Sequence, residues 1–161
     1  NEDVGYLDNV NDIHIPKENL ETISTLSELD FFNIIVSNQS GVGLGYFNTK
    51  IVKKINDKIT RTITENNGRI DKIYFDTSTN ENPSENRKPN IGMILEARKD
   101  FNISLRKSWV IGDKYSDIEL GKKCNMRTIY IKNKNYDYKS NVEPDFTINK
   151  LPESLKIIKN L

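Results

Sequence analysis

The stretch Trp109–Asp117, WVIGDKYSD, predicts a strand that turns directly into a helix. Its apolar start ends at Gly112, and Asp113 and Asp117 then lie four residues apart across the turn. The helix is expected over Ser116–Lys123. Strand, polar turn and helix in this order are typical of the repeating unit of a parallel sheet.

The same alternation of strand and helix continues on both sides of this stretch. The other strands are expected at Phe31–Val36, Ile70–Phe75 and Arg127–Ile131, with a short edge strand at Phe146–Ile148. The other helices are expected to begin at Pro16, at Asn48 or Thr49, at Ile91 and at Pro152. The polar stretches between them are expected to be loops, at Asn1–Ile15, Ser37–Gly45, Asp76–Asn90 and Asp137–Pro144.

This order predicts an α/β fold, in which a parallel sheet carries helices on both faces. The length of 161 residues fits a single domain over residues 1–161, and neither a repeat nor a linker is visible. In such sheets, ligands bind beyond the carboxyl ends of the strands. Functional side chains are therefore expected in the loops at those ends.

Composition argues against several classes of protein. The net charge of +1 directs no strong field at nucleic acid or at a membrane, and no apolar stretch approaches the roughly 20 residues that span a bilayer. The only cysteine, Cys124, excludes an internal disulfide and a cysteine-rich zinc site, and we expect it to be a structural thiol in a reducing, cytoplasmic protein. The only histidine, His14, is expected at the surface or in packing.

Two of the expected loops carry groups that suit an anion. Ser37–Gly41, SNQSG, offers a hydroxyl and successive backbone amides that can cradle an anion, although a plain turn with a serine cap is the alternative. Pro89 favours an extended Lys88 that can reach a phosphate, and Arg87 can add a forked contact. The alternative there is a loop with two solvated cations.

Asp113 and Asp117 offer the carboxylate oxygens that Mg²⁺ prefers. The alternative is structural: Asp113 or Ser116 caps the helix, and Asp117 favours its first turn. Each of the three patterns leaves both interpretations open when it is taken alone, and their combination is more specific than its parts.

A hydroxyl loop, then a lysine, then paired aspartates, each at a strand end, resembles the motif series of the haloacid dehalogenase superfamily. The segments that carry the resemblance are VSNQSG at 36–41, RKP at 87–89 with Gly92-Met93, and IGDK at 111–114 with Asp117. They look like the subfamily that contains D-glycero-D-manno-heptose-bisphosphate phosphatase and histidinol-phosphate phosphatase. Gly5-Tyr6 also resembles a Gly-Tyr pair of that subfamily, and the resemblance covers nearly the whole chain.

The resemblance implies a three-layer Rossmann-like fold without a large cap domain, and a Mg²⁺-dependent phosphatase, expected as a monomer, for a small phosphorylated metabolite. Ser37 would bind the transferring phosphoryl group, and Lys88 would neutralise its charge. Asp113 would bind Mg²⁺, and Asp117 would support the metal or the lysine. The residues that would contact phosphate or substrate are Asn38, Gln39, Ser40, Arg87 and Lys114. These residue types suit phosphoryl transfer, which depends mainly on positioning and charge neutralisation.

The chain departs from the family pattern at its start. The family's Asp-x-Asp-Gly-Thr motif, which supplies the nucleophile and the general acid and base, has no match here, since Asp3 and Asp8 do not follow an apolar strand. We expect this motif and the first strand upstream of residue 1, where about a dozen residues, roughly 40 Å when extended, would supply both. Without an upstream aspartate pair, the chain is expected to be inactive.

A second departure lies between Asp76 and Arg87. Many relatives hold a structural zinc there with cysteines and a histidine, and this loop contains neither, so we expect no zinc. The loop should be ordered by its own contacts or be mobile. Because it helps to shape the substrate pocket in the family, its change leaves the substrate open.

Four functions are therefore compared. The first is a phosphatase for heptose bisphosphate in surface-polysaccharide synthesis, and the second is a phosphatase for histidinol phosphate or another sugar phosphate. The third is a non-catalytic domain that binds a phosphorylated ligand or protein. The fourth, a flavodoxin-like receiver domain, is disfavoured because the acidic pair follows the lysine in this chain.

Overall fold

Five strands, all paired in parallel, organise residues 9–160, the part of the chain that the computed structural model describes. These residues divide into a first unit, 9–83, and a second unit, 84–160, and each unit holds one sheet. The predicted α/β fold with parallel strands is confirmed, whereas the single-domain organisation stays a prediction. Each helix in residues 9–160 is too short or too polar to span a bilayer.

The first unit contains a two-stranded sheet. Its elements are α1 (Lys17–Glu28), β1 (Ile34–Asn38), the single turn α2 (Ser40–Gly43), α3 (Thr49–Glu65) and β2 (Lys72–Asp76). Pro16 precedes α1 as expected, and the Asn48 side chain caps α3 by accepting the N–H groups of Lys50 and Ile51. α3 ends before the predicted stop at Asn66 and buries Val52, Ile55 and Ile63. A 3₁₀ turn lies inside the predicted first loop, over Val10–Asp12.

The second unit contains a three-stranded sheet with β4 at its centre. Its elements are α4 (Gly92–Phe101), β3 (Trp109–Gly112), α5 (Tyr115–Lys123), β4 (Arg127–Ile131), β5 (Phe146–Ile148) and α6 (Glu153–Lys159). α5 packs against β3 and β4. A Cβ atom at Gly121 of α5 would lie 2.5 Å from Cγ2 of Thr128, so this glycine allows the helix to approach β4 closely. The 3₁₀ turn Leu105–Lys107 was not predicted.

The prediction for β1 was wrong in its position, because the strand overlaps the predicted one only at residues 34–36. The strand starts at Ile34 and runs through Ser37 and Asn38, which were predicted to lie in a loop, and its side chains are only half-buried. Phe32, in the predicted strand, is 52% exposed. The physical reason is that the ladder with β2 is made by backbone groups and continues through polar residues, so apolar side chains alone do not mark its ends.

The predicted packing of the Cys124 thiol and the surface position of His14 are confirmed. Cys124 is buried at the end of α5, and burial raises the pKa of its thiol, which opposes formation of a reactive thiolate. His14 is exposed.

Candidate functional site

The second unit buries an ion pair between Lys88 and Asp117. Lys88 Nζ donates to Asp117 Oδ1 at 2.7 Å, and the two side chains are only 12% and 10% exposed. Arg87 is buried as well, with 8% of its surface exposed. The alternative of two solvated cations on this loop is therefore wrong. The peptide bond between Lys88 and Pro89 is cis.

Asp117 is held at both carboxylate oxygens. While Oδ1 accepts from Lys88, Oδ2 accepts the backbone N–H of Lys114 at 3.1 Å, which anchors the start of α5. The space for this carboxylate exists because residue 112 is glycine: a Cβ atom there would lie 2.3 Å from Asp117 Oδ2. Asp117 thus serves the first turn of the helix and the lysine together, and its role as a metal ligand stays a prediction.

Asp113 lies directly after β3 and is half-buried. Its Oδ2 accepts from Asn133 Nδ2 at 2.9 Å, whereas the described part of the chain gives Oδ1 no hydrogen bond. Lys114 occupies the N-cap position of α5 without a side-chain cap hydrogen bond, so the interpretation that Asp113 or Ser116 caps this helix was wrong. A carboxylate oxygen left open in this way fits Mg²⁺, which often takes one or two carboxylates and fills its remaining positions with water and substrate phosphate. No group of three or more His, Cys, Asp or Glu side chains suited to a metal occurs within residues 9–160.

Tyr115, two residues after Asp113, and Tyr136, three residues after Asn133, form an aromatic pair. The rings of Tyr115 and Tyr136 stack with their centroids 6.0 Å apart, and Lys114 Nζ lies 5.8 Å from the centre of the Tyr136 ring. Burial raises the pKa of Tyr136 to about 12, with further contributions from Tyr115 and Asp117, so its hydroxyl stays protonated at neutral pH. Lys114 itself is exposed, which is compatible with the predicted contact to substrate.

In the first unit, the segment after the apolar part of β1 differs from the predicted anion cradle. The Gln39 side chain donates to Ser37 Oγ at 2.9 Å, and its backbone N–H donates to the Asp76 carbonyl at 2.6 Å. The Gln39 N–H is therefore used by β2 and does not belong to a cradle. Ser40 begins α2, and Asn38 ends β1. The phosphate-binding roles of Ser37, Asn38, Gln39 and Ser40 stay predictions.

The stretch between Asp76 and Arg87, where we expect no zinc, is held by hydrogen bonds among its own and adjoining residues. Order of this kind was one of the two alternatives expected for it, and mobility was the other. In the first unit, the buried Asp76 carboxylate accepts from the backbone N–H and the hydroxyl of Ser78. In the second unit, Asn90 donates to the Ser84 carbonyl at 2.8 Å, and Gly92 N–H donates to the Glu85 carbonyl at 3.0 Å. Polar side chains and backbone groups thus hold this part of the chain.

The sequence interpretation missed Asn133, Tyr136 and the reason for Gly112. Asn133 carried a usable signal, because it follows β4 by two residues and so lies at the carboxyl end of a parallel strand, as Asp113 does after β3. Tyr136 and Gly112 gave no comparable signal, since their roles depend on which side chains come close to them. Gly5-Tyr6, Asp3 and Asp8 lie outside the described residues.

Comparison with known proteins gives a consistent group of relatives. Residues 85–155 match the HAD-hydrolase-like family model. The D-glycero-alpha-D-manno-heptose-1,7-bisphosphate 7-phosphatase of Burkholderia mallei is 31% identical over 135 residues, which cover 80% of this chain and 71% of the relative. The D-glycero-beta-D-manno-heptose-1,7-bisphosphate 7-phosphatase of Helicobacter pylori strain J99 is 31% identical over 122 residues, covering 75% and 70%.

Solved structures confirm the fold of the chain. The D,D-heptose 1,7-bisphosphate phosphatase from B. bronchiseptica, complexed with magnesium and phosphate, matches with a TM-score of 0.83 at 18% identity, covering 97% of this chain and 90% of that one. An HAD-like phosphatase from Mesorhizobium loti matches with a TM-score of 0.81 at 23% identity, covering 95% and 78%. The family itself is identified by the two relatives at 31% identity. The chain belongs to the haloacid-dehalogenase-type phosphatases, hydrolases of phosphomonoesters, in the subfamily of the D-glycero-D-manno-heptose-1,7-bisphosphate 7-phosphatases.

Proposed function

We propose that this chain forms the body of a Mg²⁺-dependent phosphatase that acts on D-glycero-D-manno-heptose 1,7-bisphosphate. The observation that carries the proposal is the buried Lys88–Asp117 pair, with Asp113 placed after the same strand that leads into α5. A buried lysine that a carboxylate holds in place is suited to contact the negative charge of a phosphoryl group. The relatives named for this substrate at 31% identity support the choice of substrate.

The proposed reaction has two displacement steps. An aspartate carboxylate attacks phosphorus, the bond from phosphorus to the ester oxygen breaks, and the leaving oxygen takes a proton from the second aspartate of the same motif, which recovers a proton from the water of the next step. Water then hydrolyses the aspartyl phosphate, which releases inorganic phosphate and restores the carboxylate. The attacking aspartate belongs to the motif that we expect upstream of residue 1.

Residues of this chain would supply charge and hydrogen bonds. Lys88 would offset the negative charge of the phosphoryl oxygens, held in place by Asp117. Ser37 would donate a hydrogen bond to a phosphoryl oxygen through the hydroxyl that now accepts from Gln39. Mg²⁺, held by Asp113, would supply further stabilisation of the charge that develops on the phosphoryl group.

Substrate identity, assembly and location are parts of the same proposal. Histidinol phosphate or another sugar phosphate is the alternative substrate, and binding of a phosphorylated ligand without turnover is the alternative activity. We propose a monomer in the cytoplasm that acts on a small metabolite. Sedimentation of the purified protein would check the monomer.

Phosphate release by the full-length protein tests the proposal. Heptose 1,7-bisphosphate, histidinol phosphate and several hexose phosphates are compared with Mg²⁺ and with a chelator, and Asp113→Asn serves as the matched control. We expect the highest kcat/KM for the heptose bisphosphate, and loss of turnover with the chelator and in Asp113→Asn. A higher kcat/KM for another phosphate would identify that compound class as the substrate. Near-full activity of Asp113→Asn would contradict the role of Asp113 as a metal ligand. Binding of a phosphorylated ligand without phosphate release would support the non-catalytic alternative.

A further inference from the structure

Asn133, two residues after β4, joins the backbone of its own loop to the carboxylate of Asp113. Its Nδ2 donates to Asp113 Oδ2 at 2.9 Å, and its Oδ1 accepts the backbone N–H of Asn135 at 2.9 Å. Asp113 and Asn133 are both half-buried. The hydrogen bond connects residues 20 positions apart, so it fixes the end of β3 to the end of β4.

The two contacts determine which way the amide of Asn133 points. A backbone N–H can only donate, so the Asn133 atom that faces Asn135 must be the oxygen. The NH₂ group is then forced towards Asp113, where it is a donor to a carboxylate. The turn at Asn135 therefore sets the orientation of the group that contacts Asp113.

The two aspartates have partners of different charge: Asp113 accepts from a neutral amide, and Asp117 accepts from an ammonium group. Asp117 is paired with the positive charge of Lys88, which offsets its own charge. Asn133 is neutral, so it fixes one oxygen of Asp113 while the full negative charge remains available to a cation. Oδ1 of Asp113 accepts no hydrogen bond from residues 9–160.

We propose that Asn133 is a positioning residue for Asp113, which it holds through Oδ2 while Oδ1 is left for a divalent cation. The inference rests on the proposed role of Asp113 as a ligand of Mg²⁺. Partners of this kind orient ligating carboxylates, and their loss typically weakens metal affinity about 10–100-fold.

Calorimetric titration of the full-length protein with Mg²⁺, in the absence of substrate, tests the inference. Asn133→Ser keeps a hydroxyl that can accept the N–H of Asn135, but the shorter side chain no longer reaches Asp113. Asn133→Ala removes both contacts. Asn149→Ala, at an exposed position, is the matched control, and Asp113→Asn measures complete loss of the ligand.

We expect the Kd for Mg²⁺ to rise at least about tenfold in both Asn133→Ser and Asn133→Ala. Turnover at limiting Mg²⁺ should fall in the same ratio and recover at high Mg²⁺, with Asn149→Ala unchanged throughout. The inference is overturned if Asn133→Ser binds Mg²⁺ like the wild type. This holds even if Asn133→Ala binds weakly, because the hydrogen bond to Asn135 would then affect binding and the hydrogen bond to Asp113 would not. If Asp113→Asn also binds Mg²⁺ normally, the proposed metal site itself is wrong.

Discussion

Two lysine–aspartate pairs involve opposite ends of α5, and they differ mainly in burial. Asp117, in the first turn, pairs with Lys88 at 2.7 Å, with side chains 12% and 10% exposed. Lys122, in the last turn, pairs with Asp145 at 2.5 Å, with side chains 33% and 37% exposed. The shorter pair is the more exposed one, so distance alone does not rank their contributions.

The surroundings of each pair explain what it does. Asp145 also accepts the backbone N–H and the hydroxyl of Thr128, which ties the segment before β5 to β4. This pair has the contacts of a structural clamp. The Lys88–Asp117 pair instead lies next to Gly112 and near the start of α5. Asp113, the residue after Gly112, has one carboxylate oxygen, Oδ1, that accepts no hydrogen bond from residues 9–160. The same two residue types thus serve packing at one end of the helix and belong to the proposed phosphate site at the other.

The largest effect is expected from Lys88→Met. This change leaves the Asp117 carboxylate buried without its ammonium partner, which typically costs about 3 kcal/mol of unfolding free energy, and turnover should fall at least about 100-fold. Urea unfolding and kcat measure the two effects. The double variant Lys88→Met with Asp117→Leu should recover most of the stability and none of the turnover. Recovery of both would mean that the pair has only a structural role.

Replacing Gly112, which precedes α5, and Gly121, near the end of α5, by alanine tests the same difference. An added Cβ would lie 2.3 Å from Asp117 Oδ2 at Gly112, and 2.5 Å from Thr128 Cγ2 at Gly121. Each alanine variant should lose about 1–3 kcal/mol of unfolding free energy through overpacking. Only Gly112→Ala should also lower kcat/KM, by about tenfold, because it displaces Asp117 from Lys88. Equal kcat/KM of the two variants, measured well below their melting temperatures, would contradict the proposed role of the Lys88–Asp117 pair in the reaction.

The smallest effect is expected at the exposed pair. Burial by itself raises the pKa of Asp145, but hydrogen bonds from Lys122 and Thr128 outweigh it and lower the pKa below the ordinary value of 3.8. A lowered pKa in the folded state contributes stability that is present above 3.8 and is lost as pH falls through the folded value. Lys122→Met should therefore cost less than about 1 kcal/mol near neutral pH.

Unfolding free energies measured from about pH 6 to about pH 3 check this assignment. Asp145→Asn should flatten the acid limb of the wild-type curve, because the carboxyl that titrates is gone. An unchanged slope in Asp145→Asn would show that other carboxylates carry the acid sensitivity.

The sequence alone predicted parallel strands that alternate with helices, and a polar turn directly after β3. These features follow from local patterns: apolar runs form strands, and the helices between them require parallel neighbours. It also predicted that Asp113 follows a strand directly and that Lys88 lies shortly before a helix, because the neighbouring residues specify β3 and α4.

Which side chains meet depends on how distant segments pack. Lys88 and Asp117 are 29 residues apart, and Asp113 and Asn133 are 20 residues apart, so no local pattern predicts either contact. The extension of β1 through Ser37 and Asn38 likewise depends on its ladder with β2. Hydrogen bonds and ion pairs depend on distance and on exclusion of water, and both quantities are fixed only when distant segments pack together.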